Sequence, residues 1–529
     1  MKNIYINCLL ISALVFSTAC DNEEYFELER PVQPPWQTLA DFEKAPIGAY
    51  YGLTGNGGFR TIFGAGRIAG EVYADGINLA PVTAGFSVNG DVEEMYDRQT
   101  GIQVPLYDNS VFNSGYFAVG FANGALGFIE ENDGNPYPGE GRPDEVNRIK
   151  GELHFVRAYA YYWLTRVYMP PYPNEEKRIP FRIRQAANFD EAKTSELAST
   201  NDLFTLIVED LRMAKDLLPE RFVEGVHNPS YADGRANKFA AAALLAKVLF
   251  HMGPDFHNEA LAELNFVIEQ NGGDYDLSQD PIEAFNKTGP ERGNEVIWYY
   301  ALWAGDGLGG SSNWKHPRRF EWYNANNQFS SGPETNGGRF MYASNSFLQQ
   351  VGWEDANGDL TSEALNDKRF SQLFLRLLPS SESDTLAENI YPEPNGNFQT
   401  NNTYVWGNKY YRAGDRITNL PILRLADMYL LRAVIRARDG DFGGARSDLN
   451  AVRNRAGIGD FSGADAELEN AIHQERFKEM AFEGDRLFYL QGLREPIPSG
   501  DREGNTAPWD SPFFSEIPEY EKNVNEGFE

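Results

Sequence analysis

Pro421 to Gly457, PILRLADMYLLRAVIRARDGDFGGARSDLNAVRNRAG, constrains the fold more than any other stretch of the chain. Proline opens it where the first turn of a helix accepts one, and Ile422, Leu425, Tyr429 and Ala433 recur at helical steps. Gly440 interrupts the pattern. A second run follows at Ala445, Leu449, Val452 and Ala456, and Gly457 supplies the left-handed residue that ends a helix. Two short antiparallel helices cannot bury their apolar stripes alone. A chain with one such pair is expected to hold several, stacked on one another.

The rest of the chain agrees. In GELHFVRAYAYYWLTRVY, Ile149, Leu153, Val156, Ala160, Trp163 and Val167 form one stripe and Phe155, Tyr159 and Tyr162 a second, so this helix is buried on two sides. Its mate is expected over Asn201–Leu218, capped by Asn201 or Thr200, with Asp202 in the first turn and Pro219 as the stop. GRANKFAAAALLAKVLFHMG and Asn258–Gln270 make the next pair, and Leu468–Arg494 reads as one longer helix. Hairpins thus fall at about 146–272 and 421–494, with a unit of roughly 35 residues, close to the tetratricopeptide period. Residues 54–135 and 274–420 are rich in Gly, Asn and aromatics without a helical period. The expected fold is all-α: a tetratricopeptide-like scaffold of helical hairpins with a large irregular loop lobe and a few short strands.

Charge narrows the partners. Lys+Arg 47 against Asp+Glu 77 gives 47 − 77 = −30, a balance that repels phosphate backbones and argues against nucleic acid. Residues 1–19 read as an export signal: Lys2, an apolar run from Ile4 to Phe16 too short to span a bilayer well, then Ser17-Thr18-Ala19 before Cys20. That ending is similar to a bacterial lipobox, with Cys20 as the lipid-carrying first residue of a mature domain over 20–529. The other cysteine, Cys8, leaves with the signal, so no disulfide is expected.

Chemistry-bearing patterns are few. Glu475, Glu479 and Glu483 share one helical face, which invites a glycosidase with one acid and one base or nucleophile. Arg476 and Arg486 stand close by, and such neighbours keep carboxylates ionised, so an ion-pair network is the expectation. Arg157 with Glu152, and Arg424 with Asp427, are read the same way. HExxH, GxSxG and Walker motifs are absent, and no catalytic residue, cofactor or metal is assigned. His251 and His257 read as a helix-end and loop pair. Asp355-Ala-Asn357-Gly-Asp359 has the oxygens and turn glycine of a calcium loop but lacks the bidentate acid at its usual offset, with Glu363 as the nearest substitute. EVIWYYAL reads as a buried strand holding Trp298, Tyr299 and Tyr300. Beyond it, Asn313, Trp314, Lys315, Arg318, Arg319, Trp322 and Tyr323 lie between Gly-rich turns without a period. Flat rings offer a face to the C–H side of a sugar, while Asn and Arg satisfy its hydroxyls. The cluster Lys315, Arg318 and Arg319 suits an acidic group on such a ligand.

GELHFVRAYAYYWLTRVY, DLFTLIVEDLRMAKDLLP, GRANKFAAAALLAKVLF, PILRLADMYLLRA with LNAVRNRAG, and ERFKEMAFEGDRLFYL resemble, in that order, the helical signatures of the SusD/RagB family. The closing PFFSEIPEYE looks like that family's C-terminal tail. The resemblance implies a Bacteroidetes lipoprotein of the outer membrane, facing outward, that binds glycans without catalysis and delivers them to a SusC-like TonB-dependent transporter. Asp21-Asn22-Glu23-Glu24 resembles the acidic tag of such surface lipoproteins. The loop after the first helices then joins the ligand site, adding Tyr73 and Asp75, with Tyr404 or Trp406 as weaker contributors. Three alternatives stay open: a peptide-binding lid of the RagB type, a glycoside hydrolase on the Glu475 face, and a scaffold without ligand.

Overall fold

Caps and turn residues decide where the helices of this protein start and stop. A computed structural model describes residues 36–54, 62, 65–79, 90–104, 111–140, 142–301, 341–376, 405–407, 409 and 419–528. The chain divides into two units, Met1–Phe42 and Glu43–Glu529. In the first, a short helix, Leu39–Phe42, is preceded by Trp36, whose ring meets Phe42 edge-on at 5.1 Å.

In the second unit, α1 (Lys44–Leu53) and α2 (Ala65–Val72) precede α3 (Asn113–Glu131) and α4 (Pro143–Tyr168). Helix α4 opens with proline and carries Asp144 and Glu145 where the helix dipole favours acids. Helix α5 (Thr200–Leu217) is capped one residue earlier than the spacing suggests, by Ser199. Its hydroxyl accepts the Asp202 amide at 3.1 Å while the Asp202 carboxylate accepts the Ser199 amide at 2.8 Å. Asn237 caps α6 (Lys238–Met252), and Gly253, at φ +106°, turns the chain into α7 (His257–Glu269). Then come α8 (Leu425–Arg438), α9 (Phe442–Arg455), α10 (Asp465–Met480) and α11 (Arg486–Leu493).

Neighbours in this series pack on one another: α3 on α4, α4 on α5, α5 on α6, α6 on α7, α7 on α8, and α8 on both α9 and α10. Helices α7 and α8 touch although 155 positions of sequence numbering separate Glu269 from Arg424, the residue before α8 (424 − 269). The stack is therefore continuous across the inserted lobe, as a tetratricopeptide-like scaffold requires. The two-sided burial of α4 is present, with Leu153, Phe155, Tyr159, Tyr161 and Trp163 all enclosed.

The lobe contributes short antiparallel strand pairs. Strand β1 (Ile77–Leu79) pairs with β3 (Met341–Ala343), β2 (Val296–Tyr300) with β6 (Leu420–Arg424), and β4 (Phe374–Arg376) with β5 (Val405–Gly407).

Three sequence expectations are corrected. Pro421 does not open a helix: it lies in β6 opposite Tyr299, beside a register shift where a missing N–H is tolerated, and the helix starts at Leu425. The segment 468–494 is two helices rather than one. Phe482 at φ +62° and Gly484 at φ +74° break it, because here the chain crosses α2 backbone to backbone. A Cβ on Gly484 would sit 2.6 Å from the Arg67 carbonyl oxygen, and one on Gly70 would sit 2.1 Å from the Gly484 oxygen. Residues 113–131, read as loop, form the 19-residue α3. Its inward face mixes Ser114, Gly115, Ala118, Ala122 and Ala125 with Val119, Asn123 and Ile129, so the many small side chains blur its period while allowing close approach to α1 and α4.

Candidate functional site

The Glu475–Glu483 face is sealed rather than open to substrate. The Arg424 Nη1 donates to Glu295 at 2.6 Å and to Glu479 at 2.9 Å, and its Nη2 donates to Glu483 at 2.5 Å. Arg455 adds a bond to Glu479 at 2.7 Å, Arg369 lies 2.5 Å from Glu475, and Lys409 donates to Glu483 at 2.6 Å. Burial alone would raise the Glu479 pKa. The charges of Arg455, Arg424 and Arg369 override it and hold this carboxyl well below the usual range, the opposite of what a general acid needs. The network is as expected in kind, but two pairs differ. Arg157 meets Asp210 at 2.8 Å instead of Glu152, and Asp427 takes Arg476 at 2.7 Å and Lys247 at 2.5 Å instead of Arg424.

Asp355 forms an Asx turn. Its Oδ1 accepts the Asn357 amide at 2.8 Å and the Asp359 amide at 3.1 Å, while Glu363 is engaged by Lys478. His251 meets the Tyr162 hydroxyl and His257 stacks on Phe250 at 4.9 Å, so the two rings serve separate contacts.

The lobe is where ligand-facing residues were expected. Asn313, Trp314, Lys315, Arg318, Arg319, Trp322 and Tyr323 lie outside the described residues, as do Cys20 and Tyr404. The two ends of that ring-bearing segment are described. It leaves β2, whose Trp298 is wedged edge-on between Phe155 at 4.7 Å and Tyr159 at 4.9 Å of α4, so the exit is fixed to the stack. It returns through β3, paired with β1 in the register Leu79 to Met341. Ser344 then donates to the Gly76 carbonyl at 3.0 Å through its amide and to the Asp75 carbonyl at 2.6 Å through its hydroxyl. The loop after α2 and the return of the ring segment are thus brought together.

The side chains of that loop turn inward, which corrects their placement on a ligand surface. Tyr73 is 2% exposed and stacks on Phe513 at 5.0 Å, and burial pushes its phenol pKa up. Asp75 accepts Arg486 Nε at 2.8 Å and Nη2 at 3.1 Å, both groups buried. Asp75 braces the lobe against α11, and Tyr73 braces it against the later segment at Phe513. Trp406 lies in β5 opposite Leu375.

A cleft that the sequence reading missed opens beside β2. It encloses about 330 Å³ and is lined by Arg221, Phe222, Tyr231, Tyr275, Arg292 and Tyr299 among others. Arg292 lies over the Tyr275 ring at 4.8 Å, Asn237 donates to the Tyr275 hydroxyl at 2.7 Å, and Arg221 lies 3.2 Å from Asp274. Rings edged by guanidinium, carboxylate and amide groups suit a polyhydroxylated ligand. The only signal in the sequence was an aromatic, turn-rich connector, PERFVEGVHNPSYADGR, between two helices.

A family model described as "SusD family" matches residues 230–491, and one described as "Starch-binding associating with outer membrane" matches residues 78–250. SusD-like protein P2 of Formosa agariphila is 30% identical over 171 residues, 31% of this chain and 28% of that relative, so the match takes in under a third of its length. Among solved structures, a SusD superfamily protein from Bacteroides thetaiotaomicron superposes with a TM-score of 0.68 at 20% identity, covering 93% of this chain and 98% of the other. Surface glycan-binding protein A from Bacteroides uniformis gives 0.67 at 17% identity, covering 93% and 98%. At these identities the likeness establishes the shared fold.

Proposed function

Because the chain belongs to the SusD family, we propose that it is a surface glycan-binding protein that works by capture and hand-over, without catalysis. The observation that carries this reading is the pair of family models, which together take in residues 78–491. In this reading residues 1–19 direct export, Cys20 carries the lipid, and the domain over 20–529 faces outward from the outer membrane. A SusC-like TonB-dependent transporter receives the glycan. Asn313, Trp314, Arg318, Arg319, Trp322 and Tyr323 contact it, and the cleft at Phe222 and Arg292 extends the contact surface.

The engaged state of Glu475, Glu479 and Glu483 supports binding over hydrolysis, since each carboxylate has an arginine or lysine against it. Weak affinity suits a protein that releases its cargo. With about 1 kcal/mol from each ring, two or three rings give binding no tighter than millimolar. The test is retention on immobilised glycans together with prolonged incubation with labelled oligosaccharides. Retention without cleavage is expected, and replacing Trp314 and Trp322 together by Ala abolishes retention. Cleaved product would instead identify a hydrolase, and no retention of the unaltered protein would leave a scaffold.

A further inference from the structure

Most of the buried arginines in this stack meet a carboxylate: Arg148, Arg157, Arg369, Arg424, Arg432, Arg455, Arg476 and Arg486 all do. Two half-buried arginines that line one small cleft do not. Arg166, near the end of α4, uses one of its five N–H donors, from Nη2 to the Gly484 carbonyl at 3.4 Å, and its Nε is buried without a partner. It is held in place by the Phe488 ring, 3.5 Å from its Cζ. Arg494, which follows α11, uses two, to the carbonyls of Gln491 at 2.8 Å and Met252 at 2.6 Å, and stacks on Trp509 at 4.1 Å. Among the described residues neither guanidinium has a carboxylate within ion-pair distance.

Both face a cleft of about 40 Å³ beside Pro170, Pro171 and Tyr172. Its other polar lining groups include the Gln491 amide and the Tyr172 hydroxyl, neither of which has a hydrogen-bond partner among the described residues. Among the described residues no acidic side chain lines it, in a chain of net charge −30. Arg494 also holds φ at +61°, a left-handed position that glycine commonly takes at a helix end, so the chain keeps a long cationic side chain where backbone geometry favours none. Burial lowers the pKa of both arginines, against a smaller opposing pull from Asp485 on Arg166 and from Asp255 and Asp510 on Arg494, none of them in contact.

We propose that this cleft is an anion site for a carboxylate on a short stem. Two guanidinium groups and an amide supply N–H donors of the kind a carboxylate accepts, and Phe488 and Phe513 wall the stem. The volume corresponds to about three waters, which matches one carboxylate and little more. The site is separate from the lobe and stands whether or not the glycan reading does.

The test is calorimetric titration of the full chain with sodium acetate, with sodium chloride at equal ionic strength as the reference. Saturable acetate binding is expected, weakened at least tenfold in Arg166→Gln and in Arg494→Gln. Should Arg494→Gln unfold through loss of its bonds to the helix-end carbonyls, Gln491→Glu carries the test, since it places a carboxylate in the cleft and should abolish acetate binding. D-glucuronate and N-acetylglycine then identify the carrier: preference for the first assigns an acidic saccharide, for the second a peptide chain end. Absence of saturable acetate binding, or affinity unchanged in Arg166→Gln and Gln491→Glu, overturns the proposal.

Discussion

Glu479 shows what one side chain does in the interior of this protein. It is fully enclosed and answers the charges of Arg424, Arg455 and Arg369. Replacing it by Gln leaves those cations short of a countercharge away from water, and the expected loss is about 3–5 kcal/mol, measured by chemical denaturation. The pH dependence has a definite sign. A folded pKa held below the unfolded value of about 4.3 contributes stability that is complete above that value and declines as pH falls through the folded one. Acid unfolding should therefore be less steep in Glu479→Gln than in the unaltered protein. Glu71 works in the other direction. Burial raises its pKa to about 7, although the Gly484 amide donates to it at 2.7 Å. Stability from this group is present at low pH and lost as pH rises toward 7. Glu71→Gln keeps the acceptor without the charge, so its melting temperature should exceed that of the parent at pH 8 and match it near pH 4.

Helices and strands were legible to the extent that their own residues determine them. Helices α4 to α7 and α9 follow stripes that can be read along the chain, α8 and α10 do so apart from the start of the one and the end of the other, and the strand β2 follows from EVIWYY. Helix α3 was not legible because glycine and alanine on its packed face look like loop composition until a partner helix is present. The break before α11 was not legible either, since it exists to let α2 cross. Gly484→Ala should cost about 2 kcal/mol or more, because it meets both an unfavourable φ and the Arg67 carbonyl, and urea denaturation would read the loss directly. The site was the least legible. Tyr73 and Asp75 have the composition of a sugar-binding edge, but their partners Phe513 and Arg486 are far along the chain, Arg486 by 411 positions. Composition near a turn does not distinguish a residue that meets a ligand from one that meets its own fold.

At the scale of the whole molecule, two kinds of electrostatics coexist. The net charge of −30 acts over long range and is screened by salt, whereas the interior pairs are enclosed and barely screened. Raising sodium chloride from low to physiological concentration should therefore increase the melting temperature by a few degrees; a decrease would mean that exposed ion pairs dominate. One feature of the architecture reaches further. Tyr300 and Leu420 stand opposite each other in the β2–β6 pair, one strand spacing of about 5 Å apart, and α7 and α8 pack on each other. The described residues between those two are tied back to the rest of the fold at further points, through the β3–β1 pair, Arg369 on Glu475 and Lys409 on Glu483. Diversification of cargo preference can therefore proceed in the stretches between those anchors, whereas exchanging Arg369 or Lys409 would strip countercharges from the helical chassis.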